Sequence, residues 1–163
     1  MNRQRQLANR LAPLRREGLQ QSGLDEWLVP PDKDTAYRIA QMVEEELGWR
    51  VAGWKIAATN SEMQRALRTD SPIYGRVYSP NIRPSPDSVD IASLCSPIPE
   101  AEYQILLHAD LPPRRKPYDG EEVANAVASL HPGLELAECR FIHDESFPPL
   151  PAILADGAGS GAL

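Results

Sequence analysis

The sequence has few of the features that mark secreted, membrane-spanning or disulfide-linked proteins. It contains two cysteines, Cys95 and Cys139, which lie far apart and belong to no CxxC pair. This excludes a disulfide framework and favours a reducing compartment, so we expect a cytoplasmic protein. No apolar run approaches the ~20 residues that a membrane-spanning helix needs. The N-terminus also lacks the apolar stretch and cleavage site of a secretory signal.

An excess of positive charge is also absent. The chain has 17 basic and 23 acidic residues and a formal net charge of −6, so we expect no nucleic-acid partner. The arginine-rich opening "NRQRQLANRLAPLRR" is interpreted as the solvent face of an amphipathic helix. What the chain does have is 163 residues, of which 42% are hydrophobic. That is enough for one domain with a substantial core.

Apolar periodicity predicts two helices in the first third of the chain. Leucines at helical spacing predict one helix over residues 4–17. The stretch "VPPDKDTAYRIAQMVEEELGW" predicts a second helix, which ends at Gly48. The following segment, "RVAGWKIAAT" at residues 50–59, has the composition of a strand.

A short helix and a long irregular segment are predicted next. Ser61 and Gln64 have the spacing of a capping box, and Met63 and Leu67 support a short helix after them. Residues 71–99 contain many prolines and serines and few periodic signals, which predicts loops with short strands.

Three elements are predicted in the C-terminal third. Asp119 and Glu122 form a second capping box, and apolar spacing to Leu130 predicts a helix that ends before Pro132. The stretch "GLELAECRF" predicts a strand. The last residues, "PAILADGAGSGAL", predict a strand that runs into a glycine-rich turn.

An E-x-E pair lies in the apolar stretch "SPIPEAEYQILL". In a strand, Glu100 and Glu102 would project from one face, because residues i and i+2 share a face. In a helix they would point about 200° apart. Two parallel carboxylates repel one another unless a proton or a cation lies between them. A solvated strand face remains the alternative, so the pair alone does not predict a metal site.

A third acid strengthens the metal interpretation. Glu135 lies between Leu134 and Leu136 in the predicted strand "GLELAECRF", where an unpaired buried charge would be costly. Strand alternation turns Glu138 to the other face, so we expect it to pair with Arg140 or with solvent. Three carboxylates from two strands are suitable ligands for Mg²⁺ or Mn²⁺.

Lys55 is the candidate cation beside these acids. It is flanked by Trp54 and Ile56 in the predicted strand "RVAGWKIAAT". One interpretation is a lysine whose stem is buried and whose tip reaches water. The other is a group that polarises a substrate oxygen or transfers a proton. The helix start at Thr59 and Asn60 would offer free N–H groups to a substrate carboxylate.

These stretches, in this order, resemble the 2-keto-4-pentenoate hydratases of the fumarylacetoacetate hydrolase superfamily. The motifs are "GWKIAATN", "SPIYGRV", "PEAEYQILLHADLP", "PYDGEEVANAVASLHPGLELAECRF" and "LADGAGSGAL". The resemblance implies three groups of site residues. The implied metal ligands are Glu100, Glu102 and Glu135; the implied catalytic residues are Lys55 and Asp156; the implied substrate-binding residues are Thr59, Asn60, Tyr74 and Ser160.

The resemblance also implies a fold and a reaction. The implied fold is α+β, with a helical region at residues 1–49 and a fumarylacetoacetate-hydrolase-like mixed β-roll at residues 50–163. Family members continue further, so the β-roll is expected to be incomplete at the C-terminus. The implied activity is hydration of a 2-hydroxy-2,4-dienoate or unsaturated 2-keto acid with Mg²⁺ or Mn²⁺, by a homo-oligomer. A 4-oxalocrotonate-type decarboxylase and a truncated, non-catalytic subunit are the alternatives. Ile73 stands where the family usually carries an acid, and Asp70 lies nearby.

Overall fold

A computed structural model describes residues 2–163, which form five α-helices and four β-strands. In chain order the elements are α1 (Arg3–Glu17), α2 (Lys33–Leu47), β1 (Val51–Ala57), α3 (Ser61–Ala66), β2 (Ile73–Tyr78), β3 (Ile98–Leu107), α4 (Gly120–Ala126), β4 (Val127–Ala137) and α5 (Leu150–Ala155). Three short 3₁₀ turns lie between them, at Glu26–Leu28, Ser79–Asn81 and Ile91–Ser93.

The two predicted N-terminal helices are confirmed as α1 and α2. Asn2 and Asp32 cap their N-termini through side-chain oxygens, and Gly18 and Gly48 end them in the left-handed conformation. Both helices pack together, and α5 packs against α2. The buried core there includes Leu7, Leu11, Ile39, Phe141 and Leu154. This core includes α5, which lies after the predicted boundary between residues 49 and 50. The division of the chain into two regions at that boundary therefore stays a prediction.

Strands β1 and β2 form an antiparallel hairpin, with Lys55 opposite Gly75. The predicted strand at residues 50–59 is confirmed, since β1 occupies most of it. The predicted capping box of Ser61 is wrong: Asn60 is the N-cap of α3, and its side chain accepts a hydrogen bond from Met63 N. Strand β1 ends at Ala57, two residues before the predicted end of the strand, and Asn60 takes the capping position.

Strands β3 and β4 form a second, longer antiparallel hairpin. The predicted strand that contains the E-x-E pair is confirmed as β3. The Asp119–Glu122 capping box of α4 is also confirmed. The predicted continuation of that helix to Leu130 is wrong, because α4 ends at Ala126 and the chain continues as β4. Leu130 lies opposite Ile105 in the hairpin. Hydrogen bonding to β3 therefore outweighs the helical spacing of the apolar residues in this segment.

The predicted strand in "PAILADGAGSGAL" is wrong. Residues Leu150–Ala155 form α5, and Ala152, Leu154 and Ala155 are fully buried. A short apolar run that is buried on all sides has no distinguishing period, so periodicity does not separate the two states. The predicted glycine-rich turn after it is confirmed, since Gly157 and Gly159 both have positive φ angles.

One face of the β3–β4 hairpin is apolar and exposed. Tyr103, Ile105, Leu130 and Leu134 share this face by the strand register, and each exposes more than half of its surface. The glutamates lie on the other, more buried face. No helix in the described part of the chain combines the length and apolar character that a bilayer crossing requires.

Candidate metal centre

The register of β3 and β4 brings the three predicted metal ligands together. Glu100 lies directly opposite Glu135, and Glu102 follows Glu100 on the same face. One carboxylate oxygen from each residue lies within 4.8 Å of the others. Glu135 is fully buried, whereas the Glu100 side chain is 43% exposed. The cluster therefore has a closed side at β4 and an open side at β3.

Lys55 joins the two hairpins at this cluster. Its Nζ lies 3.3 Å from Glu135 Oε2 and 3.6 Å from Glu100 Oε2, and only 6% of its side chain is exposed. The structure thus excludes the interpretation in which the tip of Lys55 reaches water. The Gly159 backbone also lies against Lys55, since a Cβ there would be 3.6 Å from Nζ.

The charges of the cluster do not balance. Three ionised carboxylates and one ammonium group leave a net charge of −2, and like charges at this spacing repel. Burial raises the pKa of Glu102, and the charge of Glu135 raises it further. Among residues 2–163, no group donates a hydrogen bond to the buried Glu135 Oε2, which has only its ion pair with Lys55.

These observations test whether a divalent cation fits the residues. A hard cation prefers carboxylate oxygens, and a charge of +2 would bring the cluster to neutrality. It would also supply the partner that the buried Glu135 Oε2 lacks. The donor set therefore fits a hard divalent cation.

The glycine-rich turn after α5 supports Glu135 from behind. Gly161 N donates a hydrogen bond to Glu135 Oε1 at 3.2 Å. A Cβ on Gly161 would lie 1.8 Å from the backbone oxygen of Leu136, so only glycine allows this approach. Sequence reasoning assigned the turn to the site but missed this N–H donor, because the contact depends on how the turn packs against β4.

A network of buried arginines holds the same turn. Arg140 Nε lies 3.0 Å from Asp156 Oδ1, and the Arg140 backbone N–H donates to Asp156 Oδ2. Arg15, from α1, donates to the backbone oxygens of Asp156 and Ser160. The expected pairing of Glu138 is confirmed, with Arg140 Nη1 3.0 Å from Glu138 Oε1.

This network bears on two of the predicted site residues. Both carboxylate oxygens of Asp156 bond to Arg140, and the side chain is fully buried. Ser160 Oγ donates to the backbone oxygen of Arg76 at 2.6 Å. Each side chain therefore has a structural partner. The catalytic role of Asp156 and the substrate-binding role of Ser160 stay predictions.

The remaining predicted substrate-binding residues lie away from the carboxylates' face. Tyr74 pairs with Ile56, so it projects from the opposite face of the β1–β2 hairpin to Lys55. There it stacks on Tyr37 with ring centroids 4.0 Å apart. Asn60 Oδ1 is used to cap α3, and Thr59 precedes it on the surface. The structure does not bring these side chains to the cluster, and their roles stay predictions.

The position that differs from the family pattern lies on the Lys55 face. Ile73 shares the strand face of Gly75 and Lys55 and is buried. Asp70 does not replace the missing acid, because its exposed carboxylate pairs with Lys33 at the surface. The side of Lys55 that faces β2 is therefore apolar.

Comparison with solved structures defines the class of fold. The chain superposes on 4-oxalocrotonate decarboxylase from Pseudomonas putida G7, complexed with magnesium and adipate, with a TM-score of 0.82 and 21% identity. The match covers 98% of this chain and 60% of that chain. A second structure of that decarboxylase, complexed with calcium and acetate, gives a TM-score of 0.81 at 20% identity. The predicted α+β, fumarylacetoacetate-hydrolase-like fold class is confirmed.

Sequence comparison points to a particular group within this class. The chain is 30% identical over 131 residues to a 2-keto-4-pentenoate hydratase of Paraburkholderia xenovorans (strain LB400), covering 78% of this chain and 47% of the relative. A 2-keto-4-pentenoate hydratase of Burkholderia vietnamiensis is 28% identical over 112 residues, covering 67% of this chain and 42% of the relative. No family model matches the chain.

The predicted resemblance is therefore confirmed: the chain is related to the 2-keto-4-pentenoate hydratases. It spans about half the length of the curated relatives that it matches.

Proposed function

We propose that this chain provides the metal site of a hydratase that adds water to a 2-hydroxy-2,4-dienoate, or unsaturated 2-keto acid, in the degradation of aromatic compounds. One structural observation carries the proposal. Three carboxylates and a lysine converge from two hairpins, and a fully buried oxygen of Glu135 has no hydrogen-bond donor among the described residues. The related hydratases support the choice of reaction.

Glu100, Glu102 and Glu135 would hold the cation, for which Mg²⁺ and Mn²⁺ are the candidates. Oxygen ligands and a net charge of −2 suit both ions. The chemistry that such an ion supplies is stabilisation of the negative charge that develops on the 2-oxygen of a chelated substrate.

The chain's own residues perform three tasks in this proposal. The Gly161 N–H and the Lys55 ammonium group fix the orientation of Glu135 from two sides. The Lys55 Nζ, held between two carboxylates, can hold or release a proton at the edge of the cluster. The buried Ile73 excludes water from the β2 side of Lys55.

Metal binding is the first test. Differential scanning calorimetry of the metal-free chain should show a higher melting temperature in millimolar Mg²⁺. At ten times the dissociation constant, the gain is about 1.4 kcal/mol, which corresponds to about 3–6 °C for a chain of this size. Glu135→Gln is the matched variant in which the shift should disappear. A wild-type chain that Mg²⁺ does not stabilise would favour the non-catalytic interpretation over either enzyme.

Decarboxylation of a 4-oxalocrotonate-like acid is the second candidate, because it uses the same chelate and because solved decarboxylase structures share the fold. Two assays with Mg²⁺ or Mn²⁺ separate the reactions. Loss of dienol absorbance without release of CO₂ supports the hydratase. Release of CO₂ in proportion to substrate consumed supports the decarboxylase.

We also propose a small-molecule 2-keto acid as the partner of the site, a homo-oligomer as the assembly, and the cytoplasm as the location. The family resemblance supports the oligomer, and the exposed apolar face of β3–β4 offers a surface that an interface could cover. The two free cysteines agree with a reducing compartment. Light scattering of the purified chain measures its mass directly.

A further inference from the structure

A glutamine follows the two glutamates on the inner face of β3. Gln104 shares that face with Glu100 and Glu102 by strand alternation, and it is partly buried. Within residues 2–163 its carboxamide makes no hydrogen bond, although it carries donors and an acceptor. An amide in this position is free to bind a ligand.

The Gln104 carboxamide is displaced along the hairpin towards the carboxylate cluster and does not lie over its own cross-strand neighbour. Gln104 pairs with His131, yet its amide lies over Gly133, where a Cβ would be 2.2 Å from Cδ and Nε2. Gly133 is directly opposite Glu102 and two residues before Glu135. By strand geometry, its Cα is therefore about 5 Å from that of Glu102 and about 7 Å from that of Glu135.

Gly133 makes this position available. Any residue with a Cβ at this point of β4 would occupy the space of the amide and push it away. Because the displaced group is the end of a flexible side chain, the backbone of the hairpin need not move. A side chain at residue 133 would therefore change where the Gln104 amide lies, while the glutamine itself is unchanged.

We propose that Gln104 contacts the ligand of the metal site and determines which ligands it accepts: its amide N–H donates to a carboxylate oxygen of a chelated 2-oxo acid that the cation does not hold. This inference rests on the proposed function. With a divalent cation the cluster is neutral, so the negative charge of the ligand needs a further donor. The ammonium group of Lys55 already contacts two carboxylates, which leaves the neutral amide to fill this role.

Two chelating probes separate this role from a general disturbance of the site. Oxalate binds a cation through two oxygens and has two outer carboxylate oxygens, one of which the amide would contact. Acetohydroxamate also binds through two oxygens but has no outer carboxylate oxygen. By isothermal titration calorimetry on the Mg²⁺-loaded chain, Gln104→Ala should weaken oxalate binding about tenfold, the loss of one hydrogen bond. Its affinity for acetohydroxamate and for Mg²⁺ should equal that of the wild type.

Gly133→Ala provides an independent variant. It keeps the glutamine but displaces its amide, so it should reproduce the tenfold loss for oxalate alone. The double variant should lose no more than either single variant, because both remove the same contact. Since Gln104 is partly exposed, these changes should leave the melting temperature of the metal-free chain close to that of the wild type.

The possible results distinguish the inference about Gln104 from the proposed metal site. If the wild-type chain binds Mg²⁺ and oxalate but Gln104→Ala binds oxalate equally well, the inference is overturned and the proposed metal site stands. Equal losses for oxalate and acetohydroxamate would also overturn it, because the amide would then affect the cation rather than the outer oxygen. A wild-type chain that fails to bind Mg²⁺ overturns both.

Discussion

Two buried groups of charged residues lie on either side of the glycine-rich turn, and they differ in charge balance. The arginine network consists of Arg15, Arg140, Glu138 and Asp156, and its charges cancel. The glutamate cluster consists of Glu100, Glu102, Glu135 and Lys55, and it retains a net charge of −2. The first group is complete without a ligand, and the second is not.

Hydrogen bonding shows the same difference. Both oxygens of Asp156 have donors from Arg140, one of them the backbone N–H. In the glutamate cluster, Glu135 Oε1 has the Gly161 N–H, but the described residues give Oε2 no donor. A buried polar atom without a partner lowers stability unless something binds it. We infer that the arginine network stabilises the fold, whereas the glutamate cluster lowers the stability of the ligand-free chain, as expected of a binding site.

Loss of a charge from the arginine network should have the largest effect. Arg140→Met keeps an unbranched stem of similar length but leaves Asp156 and Glu138 without their buried partner. The free energy of unfolding should fall by about 3–5 kcal/mol, measured by urea denaturation. Arg83→Met is the control, because Arg83 pairs with Asp87 at the surface, where an ion pair contributes about 1 kcal/mol or less. Equal losses in the two variants would contradict the comparison.

Asp156→Asn tests the same network from its acidic side. The amide keeps one acceptor oxygen but replaces the other with a donor, which cannot bond to Arg140. We expect the free energy of unfolding to fall by about 1–3 kcal/mol, with Mg²⁺ affinity unchanged. An unchanged stability together with a lost activity would instead support the predicted catalytic role of Asp156.

Glu135→Gln should have a smaller effect on stability, and one that depends on metal. Without metal, removing a buried negative charge relieves its repulsion with Glu102, which offsets the lost ion pair with Lys55. The stability of the metal-free chain should change by no more than about 1 kcal/mol, and the stabilisation by Mg²⁺ should disappear. In Glu138→Gln, the matched variant on the other side of the turn, stability should fall while the Mg²⁺ effect remains. The reverse pattern would exchange the roles of the two groups.

Local patterns predicted the parts of this molecule whose signals are local. The alternation of Glu100 and Glu102 with apolar residues identified β3, and helical spacing with good caps identified α1 and α2. The odd position of Glu135 between two leucines was sufficient to select it, because a buried charge needs a reason. The structure places all three carboxylates together.

Features that depend on packing between distant segments were not predictable in this way. The spacing to Leu130 continued a helical pattern, but pairing with β3 made it a strand. The Gly161 N–H reaches Glu135 only because the turn packs against β4. The position of the Gln104 amide depends on Gly133, which is far away in sequence and adjacent only in the folded hairpin.

The smallest expected effect is that of Mg²⁺ on the reactivity of the two thiols beside the arginine network, Cys95 and Cys139. Burial raises the pKa of Cys139 to about 12 and that of Cys95 to about 11. At pH 8 the folded chain should therefore react with iodoacetamide far more slowly than the chain in urea, since only the thiolate reacts. Because the network is complete without a ligand, Mg²⁺ should leave this rate unchanged even though we expect it to stabilise the glutamate cluster. A rate that rises when Mg²⁺ binds would show that the two groups are coupled through the turn that separates them.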